Sequence, residues 1–265
     1  KIRYWVKDVA TGTEGTITKT LSSATYDQNK YYNITANLDV KNYDGDHYYM
    51  WDAQQQYWYG YEWTKKLPAG VGQPTLMTQP ANPNYPQSNT DPSNRWFHEG
   101  SGSPFNATQS CATLPNANEL SWYAAGDPRW DADELWTTMG HLYKGGMWFK
   151  KKSVLQADGN YDTEKSADGS TDLRTTRKTY YNSNSSITDS GLPSTADAGN
   201  YFFLPALGYY HYGQLYSVGS NGFYWSSSAI PGVSNYAYCL YFGSGYAYVY
   251  SYSLRYGGFR VGGFE

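Results

Sequence analysis

The chain has 265 residues, with 40 % hydrophobic and 16 % charged side chains, a balance that supports a real core. A net charge of −3 and a pI near 5.8 argue against nucleic acid or an anionic membrane surface as partner, since both need a basic patch. Thirty tyrosines and ten tryptophans beside a mean hydropathy of −0.71 place many ring edges at solvent, a composition suited to extracellular binding surfaces.

Residues 1–40 read as three short strands, Ile2 to Val6, Gly15 to Leu21 and Tyr31 to Leu38, separated by turn-rich sequence. Three strands make a marginal unit, so this piece is expected to be the tail of an upstream β-sandwich, and residues 41–265 a ligand-binding domain. The chain opens in strand-like sequence without a signal peptide, as a processed or cropped product would. No apolar run approaches the roughly 20 residues of a membrane span, and direct membrane insertion is not expected.

From Asp44 to Trp63 aromatics are dense, and the cluster reads as core and loop packing more readily than as a sugar-stacking platform. Pro68 to Asn106 is loop-like, with prolines at 74, 80, 83, 86 and 92. Two helices are predicted next. Asn116 caps the first, with Glu119 three residues on and Leu120, Tyr123 and Ala124 on one face. Asp131 and Glu134 repeat the device before Leu135 to Tyr143, where Leu135, Met139 and Leu142 stand at helical spacing and Gly145-Gly146 ends the run. Met147 then begins a strand. Lys150 to Lys152, the one basic run, reads as a solvated edge.

Asp158 to Glu164 places oxygen donors at alternate positions like the start of a calcium loop. Thr163 stands where glycine is required and Gly169 where a bidentate Glu belongs, so a solvated loop is preferred and no metal or other cofactor is assigned. Cys111 and Cys239 could pair in a secreted protein, but free thiols are expected. Four scattered histidines, His47, His98, His141 and His211, show no metal-type spacing, and no nucleophile elbow is present, so catalysis is not expected.

Near the C-terminus, tyrosine recurs at every second position from Tyr246 to Tyr252, the period of a strand whose alternate side chains share a face. With Ser244-Gly245 as a two-residue turn, Phe242 opposes Ala247 and Leu240 opposes Val249, leaving Tyr241, Cys239, Tyr246, Tyr248 and Tyr250 on the other side. A three-residue loop would instead pair Phe242 with Tyr246 and bury the tyrosines. The first register is preferred because it separates a greasy face from a phenolic one. Ser226 to Phe264 also contains no Lys, Gln, Glu, Met or Trp. These five are unreachable for a codon whose first two bases are randomised and whose third is a pyrimidine. A Gly/Tyr/Ser-rich strand region that excludes long side chains is the plainer account.

Leu114-Pro115 through Trp122 resembles the helix opening of the formylglycine-generating-enzyme type of C-type lectin-like domain, and Gly258 to Val261 resembles its closing strand. Leu204 to Tyr209, Gly213 to Gly219 and Gly222 to Ser228 look like the Fibrobacter succinogenes major paralogous domain family, which often follows fimbrillin-like sandwiches in surface proteins. The resemblance implies an α+β C-type lectin-like fold: two helices, twisted antiparallel sheets and long loops after a small all-β segment. It also implies kinship with the variable proteins of diversity-generating retroelements. By position, Trp225, Ala237, Leu240, Phe242, Gly245, Arg255, Gly258, Phe259 and Arg260 look like scaffold. Asn235, Tyr236, Tyr238, Cys239, Tyr241, Tyr246, Tyr248, Tyr250, Tyr252, Leu254 and Tyr256 look like ligand contacts. The sugar-chelating motifs of calcium-dependent lectins are missing, and of the cysteine pair of formylglycine-generating enzymes only Cys239 is present. The expected function is therefore an extracellular or outer-membrane-associated adhesion module, at the tip of a cell-surface or fimbrial adhesin. Its partners would be a protein or glycan receptor on another cell or surface and other fimbrial subunits. Competing readings are a structural pilin subunit, a phage receptor-binding protein and an enzyme of the formylglycine-generating type.

Overall fold

The computed structural model describes residues 1–20, 25, 27–32, 37–43, 47–57, 59–60, 106–184, 187, 192–211 and 214–265. The Pro-rich stretch, His98, Trp58, Tyr61, Trp63 and the middle of the third expected N-terminal strand lie outside them.

The described residues are mainly β, with 40 % of them in strands and 10 % helical, which corrects the α+β expectation. Strands β1 (Ile2–Lys7) and β2 (Glu14–Lys19) form a separate antiparallel hairpin. A four-stranded sheet runs in the order β3 (Lys41–Asn42), β5 (Arg129–Thr138), β6 (His141–Lys150), β8 (Tyr201–Pro205). A six-stranded sheet runs β4 (Tyr48–Tyr49), β14 (Phe259–Arg260), β11 (Asn221–Ala229), β12 (Tyr236–Gly243), β13 (Tyr246–Leu254), β7 (Tyr180–Asn182). Strands β9 (Tyr209–His211) and β10 (Gln214–Tyr216) form a hairpin beside it.

The first predicted helix is present as α1 (Ala117–Ala125). Asn116 accepts the Glu119 N–H at 3.0 Å and Glu119 Oε2 accepts the Asn116 N–H at 2.8 Å, a reciprocal cap that satisfies two otherwise orphaned donors. Leu120, Tyr123 and Ala124 are buried as the spacing required.

The second predicted helix does not form; its residues build the β5–β6 hairpin. Asp131 Oδ1 accepts the N–H groups of Asp133 and Glu134, the bonds a helix cap would take, but here they close a bulge between Asp131 and Leu135. Its other oxygen accepts from Trp148 Nε1 at 3.0 Å, on the neighbouring strand. The run then breaks at Met139-Gly140, where φ of +52° and +78° makes a two-residue turn between Thr138 and His141. Trp136 stacks on its cross-strand partner Tyr143 at 5.4 Å, an aromatic pair that helical spacing could not supply. Gly145 and Gly146 end nothing: both lie inside β6, and a Cβ on Gly146 would sit 2.3 Å from the Phe203 ring. A short helix not expected from the sequence, α2 (Lys152–Ala157), includes the last residue of the basic run, and Lys150 pairs with Asp158 at 3.3 Å.

The main core lies between the two sheets and α1. Phe149 of β6 meets Phe242 of β12 edge-on at 5.4 Å, and Tyr224 of β11 donates to Pro205 O at 2.8 Å. The β1–β2 hairpin touches the tip of β5–β6: Thr11 Oγ1 donates to Leu142 O at 2.9 Å, and Asp8 Oδ2 accepts from Leu142 N at 2.9 Å. Its inward residues are only half-buried and Trp5 is 64 % exposed.

Candidate ligand-binding face

Strands β12 and β13 adopt the two-residue turn. Gly243 pairs with Tyr246, Phe242 with Ala247, Tyr241 with Tyr248 and Leu240 with Val249. Gly245 supplies φ +90°, a backbone conformation that residues with a Cβ rarely adopt. Parity then divides the strands. Leu240, Phe242, Ala247 and Val249 are fully buried in the main core, while Tyr241, Tyr246, Tyr248 and Tyr250 point the other way and are half-buried. Phe242 owes its fit to Gly222, directly opposite on β11, where a Cβ would lie 2.1 Å from the ring.

On the outer face the rings form a row across four strands. Tyr181 of β7 opposes Tyr248, which opposes Tyr241, which opposes Phe223 of β11. Tyr181 meets Tyr248 edge-on at 5.0 Å, Tyr241 lies 6.0 Å from Tyr248, and Phe223 stacks on Tyr241 at 4.6 Å. Tyr246 stacks on Tyr248 at 4.9 Å. Hydroxyls link the same rings: Asn221 Nδ2 donates to Tyr246 OH, which donates to Tyr241 OH at 2.8 Å, and Ser183 shares a hydrogen bond with Tyr248 OH. Burial, then the hydrogen bond with Tyr246, pushes the Tyr241 phenol above its ordinary value and keeps it neutral. Rings held by neighbours on a sheet have little rotamer freedom left to lose on binding.

Two of the expected contact residues are not on the accessible surface. Tyr238 is fully buried on the core side, its hydroxyl donating to Thr176 O at 3.3 Å. Cys239 shares the outer face with Tyr241, as its parity requires, but is fully buried because Trp51, Trp225 and Phe259 cover that end of the sheet. The register shifts between Ala237 and Cys239, so Ser251 and Tyr252 together oppose Tyr238. This bulge brings Ser253 Oγ to 2.9 Å from Cys239 Sγ and leaves Tyr252 51 % exposed. Asn235 is exposed, and Tyr236, Leu254 and Tyr256 are half-buried at the end of the sheet.

At that end the outer face holds a cleft of about 260 Å³, lined by Tyr209, His211, Phe223, Tyr250, Tyr252, Ser253, Leu254, Gly257 and Phe259. Burial lowers the pKa of His211, so at neutral pH the ring is uncharged and the cleft carries no charge. Tyr209 closes one side, 4.5 Å from Phe223 and 5.6 Å from Phe259. Arg177 stands over the Tyr252 ring at 4.4 Å, on the rim. Tyr181, Tyr209, Phe223 and Arg177 were not among the contacts expected from the sequence, and His211 entered there only as one of four scattered histidines. The parity of Phe223 relative to Trp225 was the one available signal.

Of the positions that looked like scaffold, Arg260 is half-buried and Gly245 lies in the hairpin turn. Trp225, Ala237, Leu240, Phe242, Arg255 and Phe259 are buried. Arg255 donates to Tyr236 O at 2.9 Å and lies 4.6 Å over Trp51; desolvation lowers its pKa to about 10, against the opposing charge of Asp52. Cys111 and Cys239 are free, buried thiols. The carboxylates of the suspected calcium stretch do not converge: Asp158 faces Lys150, Asp162 accepts the Glu164 N–H, and Glu164 pairs with Arg174. Among the described residues no group of three His, Cys, Asp or Glu is placed to hold a metal. His141 lies 3.1 Å from Asp8, far in the chain from His211 in the cleft. Among the described residues no helix is long and apolar enough to cross a membrane.

Residues 170–260 match the family model of a domain of unknown function, DUF8237, a span that includes Arg177 and the strands bearing the tyrosine face. No curated protein and no solved structure matches the chain.

Proposed function

We propose that this chain is a cell-surface ligand-binding and adhesion module whose contact surface is the outer face of the six-stranded sheet. The observation that carries the reading is the row Tyr181, Tyr248, Tyr241, Phe223. These rings turn away from the main core, lie partly in solvent, and are fixed to one another and to a rigid scaffold. A contiguous aromatic patch of this kind on a soluble surface is typical of recognition sites. Tyrosine suits the task by combining a large contact area with a directional hydroxyl.

The absence of Lys, Gln, Glu, Met and Trp from Ser226 to Phe264 supports a further refinement, a face diversified as in retroelement variable proteins. Tyr246, Tyr248, Tyr250 and Tyr252 would vary there, while Leu240, Phe242 and Val249 would not. A near-identical repeat in neighbouring DNA, differing only at adenines and lying beside a reverse transcriptase, would test that refinement.

The function itself is tested by probing immobilised glycans and extracellular proteins with the labelled chain and with a variant carrying Tyr246→Ser, Tyr248→Ser and Tyr250→Ser. Binding should be lost in the variant while the fold, followed by circular dichroism, persists. Binding that survives the triple substitution refutes this surface as the contact face.

A further inference from the structure

The tyrosine face is uneven, and its unevenness bears on what it binds. Along the row one face of each of four rings is taken by a neighbour: Phe223 lies on Tyr241 at 23° between planes, and Tyr246 on Tyr248 at 29°. The edges and hydroxyls of these rings suit peptide carbonyls and side chains. A sugar ring stacks on an open aromatic face. At one end the row opens into the uncharged cleft walled by Tyr209, Phe223, Tyr250, Tyr252, Leu254 and Phe259. Its volume of about 260 Å³ is below the roughly 300–1,000 Å³ of pockets that enclose a whole small molecule. It has the scale of a site for a single side chain.

Electrostatics at the rim are one-sided. From Tyr201 to Phe264 the sequence holds no Asp, Glu or Lys, and its two arginines are drawn inward: Arg255 is buried and one Arg260 nitrogen lies buried. On the turn before β7, Arg174 pairs with Asp172 and Glu164, and Lys178 pairs with Asp168. Arg177, between them and exposed, makes no ion pair among the described residues and rests only against the rings of Tyr252 and Tyr236, at 4.4 and 5.5 Å. An uncompensated guanidinium beside an apolar cleft is complementary to an acidic group beside an apolar one.

Resting on the reading of this face as the contact surface, we infer that the ligand is a protein. One of its large apolar side chains fills the cleft beside Tyr252, and a neighbouring carboxylate pairs with Arg177. A random peptide library displayed on phage, panned on the full chain, tests this. Enriched peptides should carry an aromatic or large aliphatic residue next to Asp or Glu. Synthetic copies should bind about fivefold more weakly to Arg177→Ala and about tenfold more weakly to Tyr252→Ala, the scale of a partly exposed ion pair and of an anchor contact. Panning on Arg177→Glu should replace the acidic neighbour with a basic one. Both side chains are exposed, so these variants should fold as the parent does.

Peptides indifferent to Arg177 and Tyr252 but lost in the triple tyrosine variant would overturn the cleft assignment and leave the face standing. Sulfated or sialylated glycans binding where no peptide is enriched would overturn the protein assignment. Peptides retained by every variant would overturn both readings, as would an absence of binding to peptide and glycan alike.

Discussion

The two faces of the six-stranded sheet are made by the same strands from nearly the same residue types, yet they do different work. On the inner face Tyr224, Phe242, Leu240 and Val249 meet α1 and the four-stranded sheet and are shut off from water. On the outer face Phe223, Tyr241, Tyr248 and Tyr250 meet mainly one another and stop half-buried. Aromatic content therefore does not separate core from binding surface here. What separates them is whether another element arrives to cover the ring.

The strongest way to break this comparison is to empty the inner face. Phe242→Ala removes a ring packed on Gly222, Phe149 and Tyr224, and should cost about 3–5 kcal/mol in chemical denaturation. A loss near 1 kcal/mol would mean the inner face is no better packed than the outer.

Alkaline pH sharpens the same contrast. Burial pushes the Cys239 thiol up to about 12, and Tyr238 likewise to about 12, against unfolded values near 8.5 and 10. Above those unfolded values the unfolded chain releases protons that the folded chain retains. Stability from these groups is thus complete below about pH 8.5 and declines as pH rises toward 12. The melting temperature should fall across that window, and both thiols should resist alkylation until the protein unfolds.

Gly222→Ala would press a methyl group into the Phe242 ring and should cost about 1–3 kcal/mol, with Gly222→Val worse. The smallest effect belongs outside: Tyr248→Ala should cost about 1 kcal/mol, the scale of one or two ring pairs, measured by the same denaturation. An outer-row substitution as damaging as Phe242→Ala would show those rings to be core.

Much of the outer row could be read from the sequence because a strand alternates with a period of two. Once Ser244-Gly245 is the turn, the partners of Leu240 and Phe242 follow without reference to anything distant. The reciprocal cap of α1 was legible for the same reason, since Asn116 and Glu119 satisfy each other within one turn. Asp131 and Glu134 carry the same local signature and did not make a helix. Asp131 is claimed by Trp148 across the sheet, and positive φ at Met139 and Gly140 makes the hairpin.

Local sequence thus determined the tyrosine hairpin, its turn, its two-faced character and the first helix, all products of backbone sterics and near-neighbour hydrogen bonds. Only the tertiary structure decided the mainly β class, the burial of Tyr238 and Cys239, and the cleft under Arg177. Each of these depends on what covers a face: Trp51 reaches Cys239 from nearly two hundred residues away, and Tyr209 walls the cleft from a separate hairpin. Parity says which way a side chain points, but burial is set by the elements that arrive above it.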